Sequence, residues 1–376
     1  MSIKIALGGD VNFSRHRGEI AGLVQREKAS LLVRCWRKLI KKLNLWSLGE
    51  YSLTEEIKSI LLEEYGGIWE YPEHGINEYN DNSIPFKQIG KFFKNADIGY
   101  INLETPLSNN GRHIGSFCSS LKFVRTLKEN NINIVSIANN HSFDAGERGF
   151  IEMINALKNE NIKYVGGGMN IEGARNGEII EIGRLKLGFL GYTAFCNSFF
   201  MSLAKNDQPG ILPLFEPIVL DDIRDIKKRC NFLIVAPHFD IENISKIHKN
   251  SIAMAHKMVD FGADLIIGSH GHVPKPIEVY NGKLIIYCLG NLIFPFSKKS
   301  WGNNIVAEVI LSDSGEYKSA KFYPIYCRNK NCYSPYILEN EEGDKLLSKI
   351  KSDSRKVFRT TLLLGDHLLK VKNFSR

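Results

Sequence analysis

The 376-residue chain lacks a cysteine framework: its seven cysteines are an odd number, scattered from Cys35 to Cys332 without zinc-finger spacing. Reduced thiols in a cytosolic protein suit that pattern better than disulfides do. Cys327 and Cys332 have no second pair nearby to complete a four-thiolate site. A long hydrophobic run is missing too. The longest charge-free stretch, Leu187 to Ala204, has 18 residues, but it contains Gly188, Gly191, Tyr192, Thr193 and Asn197 and begins like a strand. It does not read as a membrane span. The apolar stretch at the N-terminus stops at Asp10, too early for the core of a secretion signal. There is no internal repeat and no low-complexity tract. These absences lead us to expect a cytoplasmic protein, with membrane association left only to charge.

What is present is ordinary in amount: 43% apolar and 24% charged residues. Those values exclude disorder, collagen and coiled coil as the main architecture. The net charge of +8 is unevenly placed. Residues 15–42 carry a local +7 and residues 344–376 a local +6, which leaves the rest of the chain at −5. A nucleic-acid binder would show a basic stripe along its folded body, so no nucleic-acid partner is expected. The alternation of apolar and basic residues in 25–45 suits peripheral membrane or protein docking, or a helix packed on the core.

Short apolar runs of β type alternate with helical patterns. Ile3–Leu7, Ile98–Asn102, Ile134–Ala138, Leu185–Leu190, Phe232–Ala236 and Leu265–Gly268 read as buried strands. Pro85–Lys94, Leu121–Asn130, Gly146–Glu160, Asp221–Arg229 and Ile244–Phe261 read as helices. Such alternation predicts an α/β layered fold. Later the pattern becomes a run of strands, with a hairpin signal at Asn281-Gly282, so the sheet should be mixed. A block at about 14–84 interrupts the rhythm as a helical insertion. The domain is expected to run over 1–330, with a basic C-terminal helical tail at 331–376.

Five of the predicted strands end in residues that can bind metal. They lead into Gly9-Asp10-Val11-Asn12, Asn102-Leu103-Glu104, Asn139-Asn140-His141-Ser142-Phe143-Asp144, His238-Phe239-Asp240 and Ser269-His270-Gly271-His272. One such residue after a strand is usually a turn residue or a cap. Five in strand order point to one site, because strand carboxyl ends share an edge of an α/β sheet. Imidazole, carboxylate and amide donors without thiolate suit zinc, manganese or iron. His270 and His272, two apart in an extended segment, would project to one side and serve neighbouring ions. A pair of divalent transition metals activates water and clamps a phosphoryl group. His248 and His256, eight apart, are expected to share a helix face and pack rather than ligate. Lys275 and Lys283 are expected on a solvated face.

The motifs together resemble the CapA/PgsA family of poly-γ-glutamate capsule synthesis proteins, relatives of the calcineurin-like metallophosphoesterases. The likeness covers Ile101–Leu107, Ser136–Gly146, Gly166-Gly167-Gly168 with Glu172–Arg175, and Gly262–His272 continuing to Tyr287–Phe294. It implies a metallophosphoesterase-like fold, a β-sandwich core flanked by helices. It also implies that Asp10, Glu104 and His272 hold one metal. Glu104, Asn140, His238 and His270 would hold the other, with Glu104 bridging. His141 would act as general acid or oxygen donor, oriented by Asp144. Asn12 stands where the wider superfamily has histidine, and His238-Phe239-Asp240-Ile241-Glu242 departs from the family's His-Trp-Gly. Asn12, Asp240 and Glu242 are therefore further candidate ligands. Three functions compete. The first is a metal-dependent hydrolase acting on an anionic small-molecule or polymer substrate through a phosphoester or a γ-glutamyl or other amide bond. The second is a biosynthetic ligase or transfer component. The third is a non-catalytic scaffold that binds polymer or membrane.

Overall fold

The computed structural model describes residues 2–13, 82–110, 117–194, 203–295 and 302–371. Most of the expected insertion (14–81) and the docking segment 25–45 lie outside the described residues.

Strand β1 (Ser2–Val11) is followed by helix α1 (Gly90–Lys94), β2 (Ile98–Leu103), α2 (Lys122–Glu129), β3 (Ile132–Ser136), α3 (Gly146–Asn159) and β4 (Lys163–Val165). Next come β5 (Gly167–Gly168), α4 (Ile171–Arg175), β6 (Glu178–Ile182), β7 (Leu185–Thr193), β8 (Gly210–Ile211), α5 (Glu216–Lys227), β9 (Phe232–His238), α6 (Lys249–Asp260) and β10 (Leu265–Ile267). The last third is rich in strands: β11 (Ile277–Tyr280), β12 (Lys283–Ile286), β13 (Asn291–Ile293), β14 (Asn304–Ser312), β15 (Tyr317–Tyr326) and β16 (Tyr336–Ile337). Helix α7 (Glu341–Phe358) and strands β17 (Leu362–Gly365) and β18 (Leu368–Val371) close the described chain.

The described strands form two large mixed sheets and a separate two-stranded pair, β5 with β8. Ten belong to one, ordered β17-β18-β15-β14-β1-β2-β3-β4, with β13 beside β1 and β16 beside β15. Six belong to the other, ordered β11-β12-β10-β9-β7-β6. Strands β1 to β4 run parallel, as do β7, β9, β10 and β12. The parallel strands are buried on both faces, so their sequences are nearly continuous apolar runs. Along β1 the two faces separate. Ile3, Ile5 and Leu7 join Leu187, Phe189 and Ile234 in the core between the sheets. Ala6 and Val11 face the helical side with Phe93, Phe150 and Leu157. A third cluster lies under α5 and α6, on the outer face of the smaller sheet. The result is helix, sheet, sheet, helix, the layered sandwich expected from the sequence.

Local patterns explain the elements. In α3 the buried Phe150, Met153, Ile154 and Leu157 fall at helical spacing on one stripe. The β11–β12 hairpin turns at Asn281 (φ 49°) and Gly282 (φ 74°), the left-handed pair that a tight hairpin requires. Helix α7 starts at Asn340, whose side chain accepts from the Glu342 and Gly343 amides. Glu341, Glu342 and Asp344 line its first turn, and Arg355 and Lys356 its last, each complementing the helix dipole.

Two sequence expectations need correction. The C-terminal segment is not purely helical. After α7 it forms the β17–β18 hairpin, which joins the large sheet through Lys321–Lys370 and Phe322–Leu369 pairing. The buried Leu362 and Leu369 extend the inter-sheet core, so the two strands are tied down by packing. The predicted helix Pro85–Lys94 is two pieces, a 3-10 turn at Ile84–Phe86 and α1. No helix among the described residues is long and apolar enough to cross a membrane, and the start of the charge-free run at Leu187 is strand β7.

Candidate metal centre

The predicted site residues converge, but from two sheets rather than one edge. Asp10, Glu104 and Asn140 come from the ends of β1, β2 and β3 in the larger sheet. His238 ends β9 in the smaller sheet, and His270 and His272 follow β10. The parallel strands of both sheets deliver their carboxyl ends to the same place. Close backbone approach closes the gap. The Asp10 amide donates to Gly290 O at 3.0 Å, and a side chain on Gly9 would lie 1.8 Å from that same oxygen. Glycine is therefore required at position 9.

Ligand atoms of Glu104, His238 and His270 lie within 4.8 Å of one another, and so do those of Asp10, Glu104 and His272. Glu104 belongs to both groups. Its Oε1 is fully buried and has no hydrogen bond among the described residues. It lies 3.9 Å from His238 Nε2 and 3.8 Å from His272 Nε2. Asn140 Oδ1 reaches His238 Nε2 at 2.8 Å. The His-x-His segment is not extended as expected. His270 (φ 86°) and His272 (φ 54°) both sit in the left-handed region, so the turn itself aims the rings at different neighbours. His270 faces His238 across 4.7 Å between ring centroids, and His272 faces Asp10, its Nδ1 3.5 Å from Oδ2.

The electrostatics are those of a cation site. Burial pushes Asp10 up to about 7, against the lowering effect of hydrogen bonds from Asn102 and the His270 amide. Burial, and then the charge of Asp10, holds Glu104 well above the ordinary carboxylate range. Burial, and then neighbouring imidazoles, keeps His238 and His270 well below the usual histidine value, in the neutral form that ligates. Buried acids with a bare lone pair are costly unless a positive charge meets them. The oxygen and imidazole donors, shared through an orphaned carboxylate oxygen, fit two divalent cations. Asp10, Glu104 and His272 would hold one, and Glu104, Asn140, His238 and His270 the other.

Around this cluster stand residues that the sequence did not single out. Asn102 donates to Asp10 Oδ1 at 2.8 Å and lies 3.4 Å from both Glu104 Oε2 and His238 Nδ1. Ser269 Oγ is 2.9 Å from His238 Nδ1, and Asn291 Oδ1 is 2.8 Å from His272 Nδ1. Each fixes an imidazole so that the other nitrogen faces Glu104. The signal for them was weak, since asparagine and serine at strand ends usually mean turns.

His141 is in neither ligand group, and its side chain is 21% exposed where the ligands are buried. Its Nδ1 is 2.8 Å from Asp144 Oδ2, which also accepts from the Phe117 amide at 2.9 Å. A row of rings links it to the cluster: Phe117 lies 4.3 Å from His141, Phe294 5.7 Å from Phe117, and His272 5.0 Å from Phe294. Of the additional candidates, Asn12 is fully buried beside the site, with its amide bonded to Ile293 O. Glu242 Oε1 lies 3.4 Å from His270 Nε2. Asp240 stands outside both ligand groups, 3.1 Å from the buried ammonium of Lys275.

Lys275 is thus 1% exposed, not solvated as expected. Lys283 pairs with Asp264 at 2.6 Å. His248 and His256 do not share a helix face. His248 caps the start of α6, while His256 bonds Glu278 at 2.9 Å and stacks on Tyr280.

Fold and site together define a layered α/β protein with two candidate metal-ligand groups, sharing Glu104, at its strand ends. Residues 4–295 match the family model of the bacterial capsule synthesis protein PGA_cap, and the chain belongs to that family. It is 29% identical over 230 residues to the PGA biosynthesis protein CapA of Bacillus subtilis, covering 60% of each chain. It is 27% identical over 307 residues to the capsule biosynthesis protein CapA of Bacillus anthracis, covering 78% of this chain and 69% of that one. A probable polyglutamine synthesis accessory protein of Mycobacterium tuberculosis is 27% identical over 215 residues, with 53% of this chain and 56% of that protein covered. The chain thus matches only about 60% of the length of the first of these relatives. Among solved structures, the calcineurin-like phosphoesterase YfkN of Bacillus subtilis aligns with a TM-score of 0.39 at 12% identity, over 95% of this chain and 99% of that one. A putative 5′-nucleotidase of Staphylococcus aureus aligns at 0.42 and 13%, over 72% and 52%. These structural scores are too low to bear on activity.

Proposed function

We propose that the protein is a dinuclear metal-dependent hydrolase acting on an anionic substrate through a phosphoester or a γ-glutamyl or other amide bond. One observation carries the reading: Glu104 Oε1 is buried, without a hydrogen bond, between His238 Nε2 and His272 Nε2. An oxygen so placed is a liability in a purely structural protein and an asset only to a cation. When bound, the metals would supply Lewis acidity and a water made nucleophilic at neutral pH.

The chain's own residues support the rest. Asn102 holds the Asp10 carboxylate in place, and Asn291 and Ser269 orient His272 and His238. His141, partly exposed and tied to Asp144, is positioned to pass a proton to a leaving group or to donate to an oxyanion. The Phe117 and Phe294 rings shield that edge from water.

The test is a hydrolase screen of the purified chain supplemented with manganese, iron or zinc. The panel comprises phosphomonoesters, phosphodiesters and γ-glutamyl peptides. Turnover of one class that disappears in Glu104→Gln is the expected result. A metal-loaded protein that turns over none of them would sink the hydrolase reading. A second reading has support in the relatives, which are a PGA biosynthesis protein and a capsule biosynthesis protein. In that case the same site would serve transfer or ligation, and the screen should then show product only when an acceptor amine is added.

A further inference from the structure

Lys275 is the most deeply buried lysine among the described residues. Its ammonium lies 2.9 Å from Ile241 O, 2.9 Å from Ile244 O, 3.3 Å from Lys246 O and 3.1 Å from Asp240 Oδ2. All four oxygens belong to one loop, residues 240–247, directly after the β9 ligand His238. Asp240 adopts φ 77° and Asn243 φ 63°, so the loop folds through two left-handed positions. Such a backbone persists only where its surroundings over-determine it. Asp240 also accepts the His248 amide at 3.0 Å, and the Asn243 amide donates to Gly271 O at 2.9 Å.

The stem of the same lysine passes beneath the His-x-His turn. A side chain on Gly271 would come within 2.6 Å of Lys275 Cε and 3.2 Å of Cys288 Sγ. The Lys275 amide donates to Cys288 O at 3.1 Å, which fixes its own backbone to the smaller sheet. The side chain thus touches the loop that carries Glu242 and lies against the turn that carries His270 and His272, while the backbone amide of the same residue bonds the segment leading to Asn291. Glu242, carried on that loop, places its Oε1 3.4 Å from His270 Nε2.

We propose that Lys275 is a positioning residue, which by collecting the oxygens of residues 240–247 and supporting the turn at Gly271 sets the place of His270 and Glu242 in the centre. The proposal rests on the metal-centre reading only for its second consequence. The first is order in the loop itself, which needs no metal.

The experiment compares the full-length wild type with two variants, Lys275→Met and Asp240→Gly/Lys275→Met. The double variant removes both buried charges and puts glycine where φ is positive, so it avoids the unpaired buried carboxylate that burdens the single variant. It still leaves three carbonyls without their donor. Hydrogen exchange on metal-free protein is expected to show the Asn243 amide losing protection tenfold or more in both variants, and the His248 amide, whose acceptor Asp240→Gly removes, losing it in Lys275→Met, while β9 and α6 keep theirs. Cobalt(II) titration, followed by visible absorption, is expected to show one of two equivalents weakened tenfold or more, with a changed band. Unchanged exchange in the variants overturns the proposal. Looser exchange with a wild-type cobalt spectrum also overturns it, because Lys275 would then serve only the fold. Wild type that takes up no cobalt would defeat the metal-centre reading instead, and the exchange result would then decide the ordering role by itself.

Discussion

Asn102 Nδ2 stands 2.8 Å from Asp10 Oδ1, the shortest side-chain hydrogen bond that Asn102 makes among the described residues. The amide lies at the end of β2, between the acid on β1 and Glu104 two residues on, so it sets the angle at which both carboxylates meet the cluster. Asn102→Ala should leave every candidate ligand present. It should nonetheless lower metal affinity by about 10- to 100-fold, the usual cost of losing a group that orients a ligand. Competition with a chromophoric chelator would measure this. Unchanged affinity would mean that the sheet alone positions Asp10.

Much of this arrangement was legible in the sequence because strand ends are marked by composition. Apolar runs that stop at Asp10, Glu104, Asn140, His238 and His270 announce both the strand and the direction it points. The hairpin at Asn281-Gly282 was legible for a similar reason, since its turn needs two left-handed residues and that dipeptide supplies them. The β17–β18 turn needs the same geometry but supplies it with Asp366 (φ 51°) and His367 (φ 55°), a pair with no such signature. Its strands were therefore missed. Lys275 was misplaced because three of its four partners are carbonyl oxygens of residues 241–246, about thirty positions upstream, and backbone acceptors leave no trace in side-chain identity.

Glu104→Gln separates the cost of the site from its use. Glu104 in the metal-free fold is held well above its ordinary value, so the native state keeps its proton where the unfolded chain has lost it. Stability of the metal-free wild type must then fall as pH rises above the ordinary carboxylate value. Glutamine has no proton to lose. Metal-free Glu104→Gln should accordingly melt at or above wild type at pH 5, and its advantage should grow toward pH 8 by about 1–2 °C per kcal/mol. Added metal should reverse the order, because only wild type gains stability from it. Differential scanning calorimetry with and without chelator would read both signs. A metal-free variant less stable than wild type at pH 8 would show that Glu104 serves the fold.

Loading the centre should release protons. With Asp10 pushed up to about 7 and Glu104 higher than usual, part of the metal-free population is protonated at neutral pH. The ligating forms are not, so binding expels the difference and affinity falls as pH falls. Titration calorimetry at pH 7 in two buffers of different ionisation enthalpy should show a buffer-dependent heat, with the apparent affinity dropping between pH 8 and pH 6. Heats identical in both buffers would mean that both carboxylates are already ionised before metal arrives.

His141 and Asp144 test the chemistry apart from the metals. Neither belongs to the ligand groups, and their 2.8 Å contact is held by a carboxylate that also anchors the Phe117 amide. His141→Ala should therefore keep the full metal content while losing rate, by about 10²–10⁴-fold if it transfers a proton in the slow step. Asp144→Asn keeps the shape and the Phe117 bond but offers a weaker partner to Nδ1, so its loss should be smaller. The two losses should not add, because Asp144 acts through His141. Substrates whose leaving group needs no proton should be spared by His141→Ala. If poor and good leaving groups slow equally, His141 holds an oxygen of the substrate rather than supplying a proton, and Asp144 then fixes a hydrogen-bond donor.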